Sequence, residues 1–263
     1  MNDTSLHARA ALRVDLTGQL ALVTGAGSGL GQRFATVLAA AGAKVILCGR
    51  RIERLQAVAE HIRADGGQAY VEPLDLRDAA SLAERIAGMI SAYGAIDILV
   101  NNAGIGDTSE AVGMEVEAMD ELFATNLRAP FIIASEVARG LMASGRPGRV
   151  VNLASVGAVH YSSGMRAAFY CSLKAAVIRM SEALALEWAK QGINVNAIAP
   201  GLFETEMTEA HLARYRERMV ERMPRKRAGM PEQLDSTLLY LVSPASEFVT
   251  GVCIRVDDGQ YPR

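Results

Sequence analysis

Tyr170 and Lys174 stand four residues apart in the stretch FYCSLKAAVIRM. Apolar residues recur around them at helical spacing (Leu173, Ala176, Val177, Met180, Leu184), and on a helix residues i and i+4 share a face. The spacing therefore puts a phenol beside an ammonium. A nearby cation favours the phenolate and lowers a tyrosine pKa from about 10 towards neutrality. A phenol tuned in that way exchanges a proton with an alcohol or a ketone near neutral pH.

A second stretch carries different chemistry. In VTGAGSGLG (23–31), Gly25, Gly29 and Gly31 permit a tight turn, a close backbone approach and close packing of the helix that follows. The N–H groups opening that helix are suited to a pyrophosphate.

Both stretches need a scaffold, and the rest of the chain supplies one. Short apolar runs, QLALVT (19–24), KVILC (44–48), AYVEPL (69–74), IDILV (96–100), RVVNL (149–153), INVNAI (193–198) and VCIRV (252–256), alternate with amphipathic stretches. Strands apolar on both faces and separated by helices imply a parallel sheet covered on both sides. The expected fold is a doubly wound, Rossmann-type α/β domain over 16–263, after an N-terminal extension at 1–15. Polar or special residues follow each of the first six runs closely: Thr24-Gly25, Gly49-Arg50, Asp75, Asn101-Asn102, Ser155 and Pro200-Gly201. They collect at the carboxyl edge of the sheet, where open α/β folds bind ligands.

Thr24-Gly25-Ala26-Gly27-Ser28-Gly29-Leu30-Gly31, Asn101-Asn102-Ala103-Gly104, Asn126, Ser155, Tyr170 with Lys174, and Pro200-Gly201 occur in that order. In this the chain resembles the short-chain dehydrogenase/reductase family, over about residues 16 to 259. The resemblance implies a nicotinamide cofactor and hydride transfer between a carbonyl and an alcohol. It implies cofactor contacts from Thr24, Gly25, Ser28, Gly29, Leu30, Gly31, Asn102, Ala103, Gly104, Pro200, Gly201 and Thr205, with Asp75 and Leu76 at the adenine ring. Tyr170 then gives or takes the proton, Lys174 lowers its pKa and holds the nicotinamide ribose, and Ser155 hydrogen-bonds the substrate oxygen.

Chains that bind NAD usually end the second strand on an acid that meets the ribose 2′-hydroxyl. Gly49 stands there, followed by Arg50 and Arg51. Two cations at a helix start are unfavourable by themselves and suit a 2′-phosphate. NADP(H) is therefore the favoured cofactor and NAD(H) the alternative.

Asn126 lies in a helical pattern four residues before Pro130. A proline cannot donate to that carbonyl and pushes against it, so a kinked helix with a freed Asn126 carbonyl is expected. In the family the matching Asn helps hold a water that links Lys174 to solvent.

The substrate is harder to read. His160, Tyr161 and Met165, between Ser155 and Tyr170, are the expected contacts, and 201–230 resembles the family's mobile lid. Relatives acting on acyl-carrier thioesters use two basic positions. Arg139 matches one and Leu186 occupies the other, which weakens that alternative. The rival from another class, a dinucleotide-binding sensor without turnover, typically loses part of the catalytic set. Epimerising and dehydrating relatives are generally longer.

Composition excludes other classes. A net charge of −2 over 263 residues provides no field for nucleic acid or a membrane surface. Cys48, Cys171 and Cys253 are far apart and His7, His61, His160 and His211 fall at no ligand spacing, so neither disulfides nor a metal are expected. No apolar run approaches the roughly 18 residues needed to span a bilayer. The expectation is a cytoplasmic protein, a homotetramer through the apolar faces of 115–144 and 164–191.

Overall fold

Successive strand residues point to opposite faces, so an uninterrupted apolar run needs cover on both. The computed structural model, which describes residues 14–161, 166–221 and 223–260, provides it. The runs form β1 (Leu20–Thr24), β2 (Lys44–Gly49), β3 (Gln68–Pro73), β4 (Ile98–Asn101), β5 (Gly148–Leu153), β6 (Ile193–Pro200) and β7 (Cys253–Val256). They make one parallel sheet in the order β3-β2-β1-β4-β5-β6-β7. In β1, Leu20 and Leu22 enter one core cluster while Ala21 and Val23 enter the other.

The first cluster is closed by α3 (Ala79–Tyr93), α5 (Ala129–Ser144) and α6 (Ala168–Glu187), through Leu82, Ile86, Ile133, Val137, Val177 and Leu184. The second is closed by α1 (Gly29–Ala40), α2 (Ile52–Ala64) and α8 (Asp235–Val242), through Phe34, Leu38, Leu55, Ile62, Leu238 and Leu241. The helix α8 has no counterpart among the expected elements. It has eight residues with its apolar ones consecutive from Leu238 to Val242, too short and too continuous for a helical period to show, and the sheet face is what recruits it.

On the side of α5 and α6, α4 (Val116–Phe123) runs into a π-helical turn, Ala124–Arg128, before α5. The expected kink at Pro130 takes this form: the Ala129 N–H bonds the Ala124 carbonyl, five residues back. Such π turns concentrate at functional sites. Among the described residues of 201–230, the helix is α7 (Glu206–Glu221). Its flanks are tied by a bridge between Phe203 and Gly229.

Of the proposed extension at 1–15, residues 1–13 lie outside the described residues. The chain just beyond is anchored, with Leu16 fully buried and its N–H bonded to the Ala41 carbonyl at 2.8 Å. Among the described residues no helix is long and apolar enough to cross a membrane.

Candidate active site

Strand order runs outward in opposite directions from β1 and β4, and a crevice must open where connections leave to opposite faces. There lies a cavity of about 440 Å³. Thr24 ends β1 and Asn102 follows β4, and the two brace this edge. The Thr24 hydroxyl accepts the N–H groups of Asn102 at 3.1 Å and Ala103 at 3.0 Å, and Asn102 Nδ2 donates to the Thr24 carbonyl at 2.9 Å. The start of α1 packs directly on this brace. A Cβ on Gly31 would collide with the Gly25 carbonyl and Asn102 Nδ2, so only glycine admits the helix so close. The first turn of α1 carries no acidic residue and Ser28 makes no side-chain cap. Its leading N–H groups therefore present positive potential to the cavity.

Tyr170 sits in the first turn of α6 and Lys174 one turn later, both on the cavity wall. Lys174 is 5 % exposed, and its ammonium donates to the Leu153 carbonyl at the end of β5 at 2.7 Å. Burial pulls its pKa down to about 8. Tyr170 is pushed up to about 12, burial outweighing a hydrogen bond with Ser155 that pulls the other way. This differs from the expectation that Lys174 would bring the phenol towards neutrality. The ammonium lies 5.7 Å from the centre of the Tyr170 ring, committed to the Leu153 carbonyl, and desolvation of both groups dominates.

Ser155 follows β5, where its hydroxyl accepts the Gly157 N–H at 3.1 Å. Asn126, 1 % exposed in the π turn, clasps the Ile105 backbone. Its Oδ1 accepts the Ile105 N–H at 3.2 Å and its Nδ2 donates to the Ile105 carbonyl at 3.0 Å. The side chain thus fixes the segment after β4, a role that spacing did not suggest. Its carbonyl, facing a proline four residues on, lacks the ordinary helical donor.

Behind this group runs a buried polar chain. Asn101 Nδ2 donates to the Pro130 carbonyl at 3.1 Å and to Asn152 Oδ1 at 2.9 Å, and Asn152 Nδ2 donates to Ser181 Oγ at 2.9 Å. It links β4, β5, α6 and the proline that makes the π turn.

At the other end of the cavity, beyond β2, Arg50 is exposed on the wall. Asp75 is held by Arg77, whose Nη2 lies 2.7 Å from it, and that hydrogen bonding brings its pKa down to about 2. Leu76 is buried beside it. Arg51 is ion-paired with Glu206 at the start of α7: Nη1 to Oε1 at 2.6 Å, Nη2 to Oε2 at 2.8 Å, with Nη2 also donating to Ser28 Oγ at 2.8 Å.

Every residue expected to hold the cofactor, from Thr24 to Thr205, borders this one cavity, as do the four expected catalytic residues. The substrate contacts fare differently. The cavity wall does not include His160 or Tyr161. A 3₁₀ turn covers Val156–Ala158, and Tyr161 borders a separate shallow depression beside Cys171 and Ser172. Met165 lies outside the described residues. Phe203, Glu206 and Met207 of the expected lid segment also border the cavity, whereas Glu121 and Thr125 were not anticipated, because no motif marks residues brought in by packing.

The family model for short chain dehydrogenase matches residues 19–216. The chain belongs to the short-chain dehydrogenase family. Among relatives within it, 2-dehydro-3-deoxy-D-gluconate 5-dehydrogenase of Dickeya dadantii is 35% identical over 252 residues, covering 95% of this chain and 98% of that one. The 3-oxoacyl-(acyl-carrier-protein) reductase of Rickettsia conorii is 34% identical over 246 residues, covering 94% and 98%. Among solved short-chain dehydrogenases, a gluconate 5-dehydrogenase from Burkholderia cenocepacia, in complex with NADP and tartrate, superposes with a TM-score of 0.88 at 34% identity, covering 94% and 97%.

Proposed function

We propose that this short-chain dehydrogenase is an NADP(H)-dependent oxidoreductase acting on a carbonyl or secondary alcohol, with Tyr170 as its proton donor and acceptor. One observation carries the reading: Tyr170, Lys174, Ser155 and Asn126 share a cavity wall with the glycine-rich turn and Arg50. The acid-free start of α1 and the close approach at Gly31 fit a pyrophosphate and the backbone contact it requires. Thr24, Gly25, Ser28, Gly29, Leu30, Gly31, Asn102, Ala103, Gly104, Pro200, Gly201 and Thr205 would hold the cofactor, with Arg50 and Arg51 at the 2′-phosphate and Asp75 and Leu76 at the adenine. A nicotinamide held there supplies or accepts the hydride.

In reduction, the Tyr170 hydroxyl gives its proton to the substrate oxygen. The Ser155 hydroxyl donates a hydrogen bond to the same oxygen, where negative charge develops. The Lys174 ammonium stabilises the phenolate left behind, and the Asn126 carbonyl, without its ordinary helical donor, is available to a water leading protons inward. Residues 201–230 serve as a lid over this chemistry, within one domain spanning 16–263.

The substrate we favour is a polyhydroxylated acid, the class named for the Dickeya relative. The thioester alternative is disfavoured because Leu186, 79% exposed, stands where a basic residue would be needed, and Arg139 pairs with Glu136 on its own helix at 3.0 Å. Exposed Phe123, Phe131 and Met142 along α4 and α5 support a homotetramer, which a monomer by light scattering would refute. Three free thiols fit the cytoplasm. The test is a panel of sugar acids, simple ketones and an acetoacetyl thioester with NADPH or NADH, followed by absorbance. Turnover of the thioester alone would overturn the substrate class, and undiminished turnover in Tyr170→Phe the mechanism.

A further inference from the structure

Gly49 leaves the end of β2 without the carboxylate that usually meets a ribose 2′-hydroxyl, yet a carboxylate is present there. It arrives from 155 residues away. Glu206 reaches across from α7 and engages both terminal nitrogens of Arg51. Arg54, on the first turn of α2, adds a third cationic contact at 3.7 Å. Arg51 Nη2 is bonded at once to Glu206 and to the Ser28 hydroxyl of the glycine-rich turn. Arg51, Ser28, Gly49 and Glu206 all border the adenosine end of the cavity. A fork-on-fork guanidinium–carboxylate pair uses the same donors that a phosphate would use. Glu206 and a 2′-phosphate are therefore competitors for one guanidinium, and they also repel each other.

We infer that Glu206 is a cofactor-discriminating residue: its carboxylate occupies the Arg51 fork that a 2′-phosphate needs, so that NADP(H) binds only by displacing it while NAD(H) leaves it in place. The inference rests on the cofactor reading above. Arg50, which does not join the Glu206 pair, supplies the initial attraction for the phosphate, and Arg51 becomes available once Glu206 yields. Selectivity for NADP(H) is thereby held below what two arginines would otherwise provide.

The experiment measures dissociation constants of NADPH and NADH by fluorescence for the wild type, Glu206→Gln and Glu206→Asp. An exposed, multiply bonded ion pair competes modestly, and removing a nearby anion adds to its loss. Glu206→Gln should tighten NADPH about tenfold while changing NADH by less than about twofold. Glu206→Asp, which keeps the charge, should remain near the wild type. Equal shifts for both cofactors, or weaker NADPH binding in Glu206→Gln, would overturn the inference, the latter meaning that Glu206 only positions Arg51. Arg50→Asp, run in parallel, reports on the cofactor reading separately. An unchanged NADPH-to-NADH ratio in that variant removes the reading and the inference with it. An altered ratio there, beside an unmoved ratio in Glu206→Gln, removes only the role of Glu206.

Discussion

The Lys174 ammonium stands over the Tyr170 ring, 5.7 Å from its centre. Its 2.7 Å bond to the Leu153 carbonyl anchors it to the end of β5. The two residues share one desolvated pocket, and burial is the main influence on the ionisation of each. The phenol stays protonated at neutral pH, ready to donate, and Ser155 is the group that most directly eases its ionisation.

Tyr170→Phe should lower turnover by about 10² to 10⁴. The ring and its packing remain, so NADPH affinity measured by fluorescence should change little. Loss of cofactor binding equal to the loss of rate would contradict a proton-transfer role.

The pH profile should be asymmetric between directions. Alcohol oxidation needs the Tyr170 phenolate, and burial pushes that pKa up to about 12, so oxidation should climb through the alkaline range while reduction persists at neutral pH. Ser155→Ala removes the bond that pulls the pKa down and should displace the oxidation profile further towards alkali. Initial rates in both directions across pH 6 to 10, a range of about four units, test this. An unmoved profile in Ser155→Ala would count against the assignment.

Lys174 makes stability depend on pH. Its folded pKa, about 8, is below the ordinary 10.5, so the unfolded chain binds more protons between those values and stability rises with pH there. The penalty is fully present below about pH 8 and corresponds to roughly 3 kcal/mol. Lys174→Met should therefore gain on the wild type at neutral pH and lose that gain on approaching pH 10. Urea unfolding at the two pH values decides it, and a pH-independent difference would refute it.

Asn152→Ala should destabilise the fold by about 1–3 kcal/mol, the cost of unpairing buried polar groups. Asn101 Nδ2 would keep only the Pro130 carbonyl, and the Ser181 hydroxyl would lose the Asn152 amide. Chemical denaturation measures this. Retained stability would mean that the chain of side chains is not a structural link.

Gly104→Ala places a Cβ 2.7 Å from Asn126 Oδ1, closer than a methyl group allows. The Asn126 amide is bonded on both sides to Ile105 and cannot turn away freely. Turnover should fall at least about tenfold with a cooperative thermal transition retained. Wild-type kinetics would show that the clasp on Ile105 has no part in the site.

The alternation of apolar runs with helical stretches was legible because burial imprints period on local sequence. The seven strands appear where the runs lie, with ends displaced by a residue or two. The π turn was legible only as a kink: Pro130 dictates that a bond is missing, whereas the packing of α5 decides how the chain absorbs it. His160 and Tyr161 do not border the cavity that holds Tyr170, because proximity in sequence to Ser155 does not set which residues of a loop line a given wall.

By itself the sequence determined the sheet, the carboxyl edge at which its polar residues gather, and the helical spacing of Tyr170 and Lys174. These are local consequences of side-chain period and backbone chemistry. Tertiary structure alone decided that Lys174 answers to Leu153, that Asn126 clasps Ile105, and that Glu206 takes the fork of Arg51. Such pairings join residues 21 to 155 positions apart. They depend on which polar groups the packed elements leave facing one another, and no local periodicity records that.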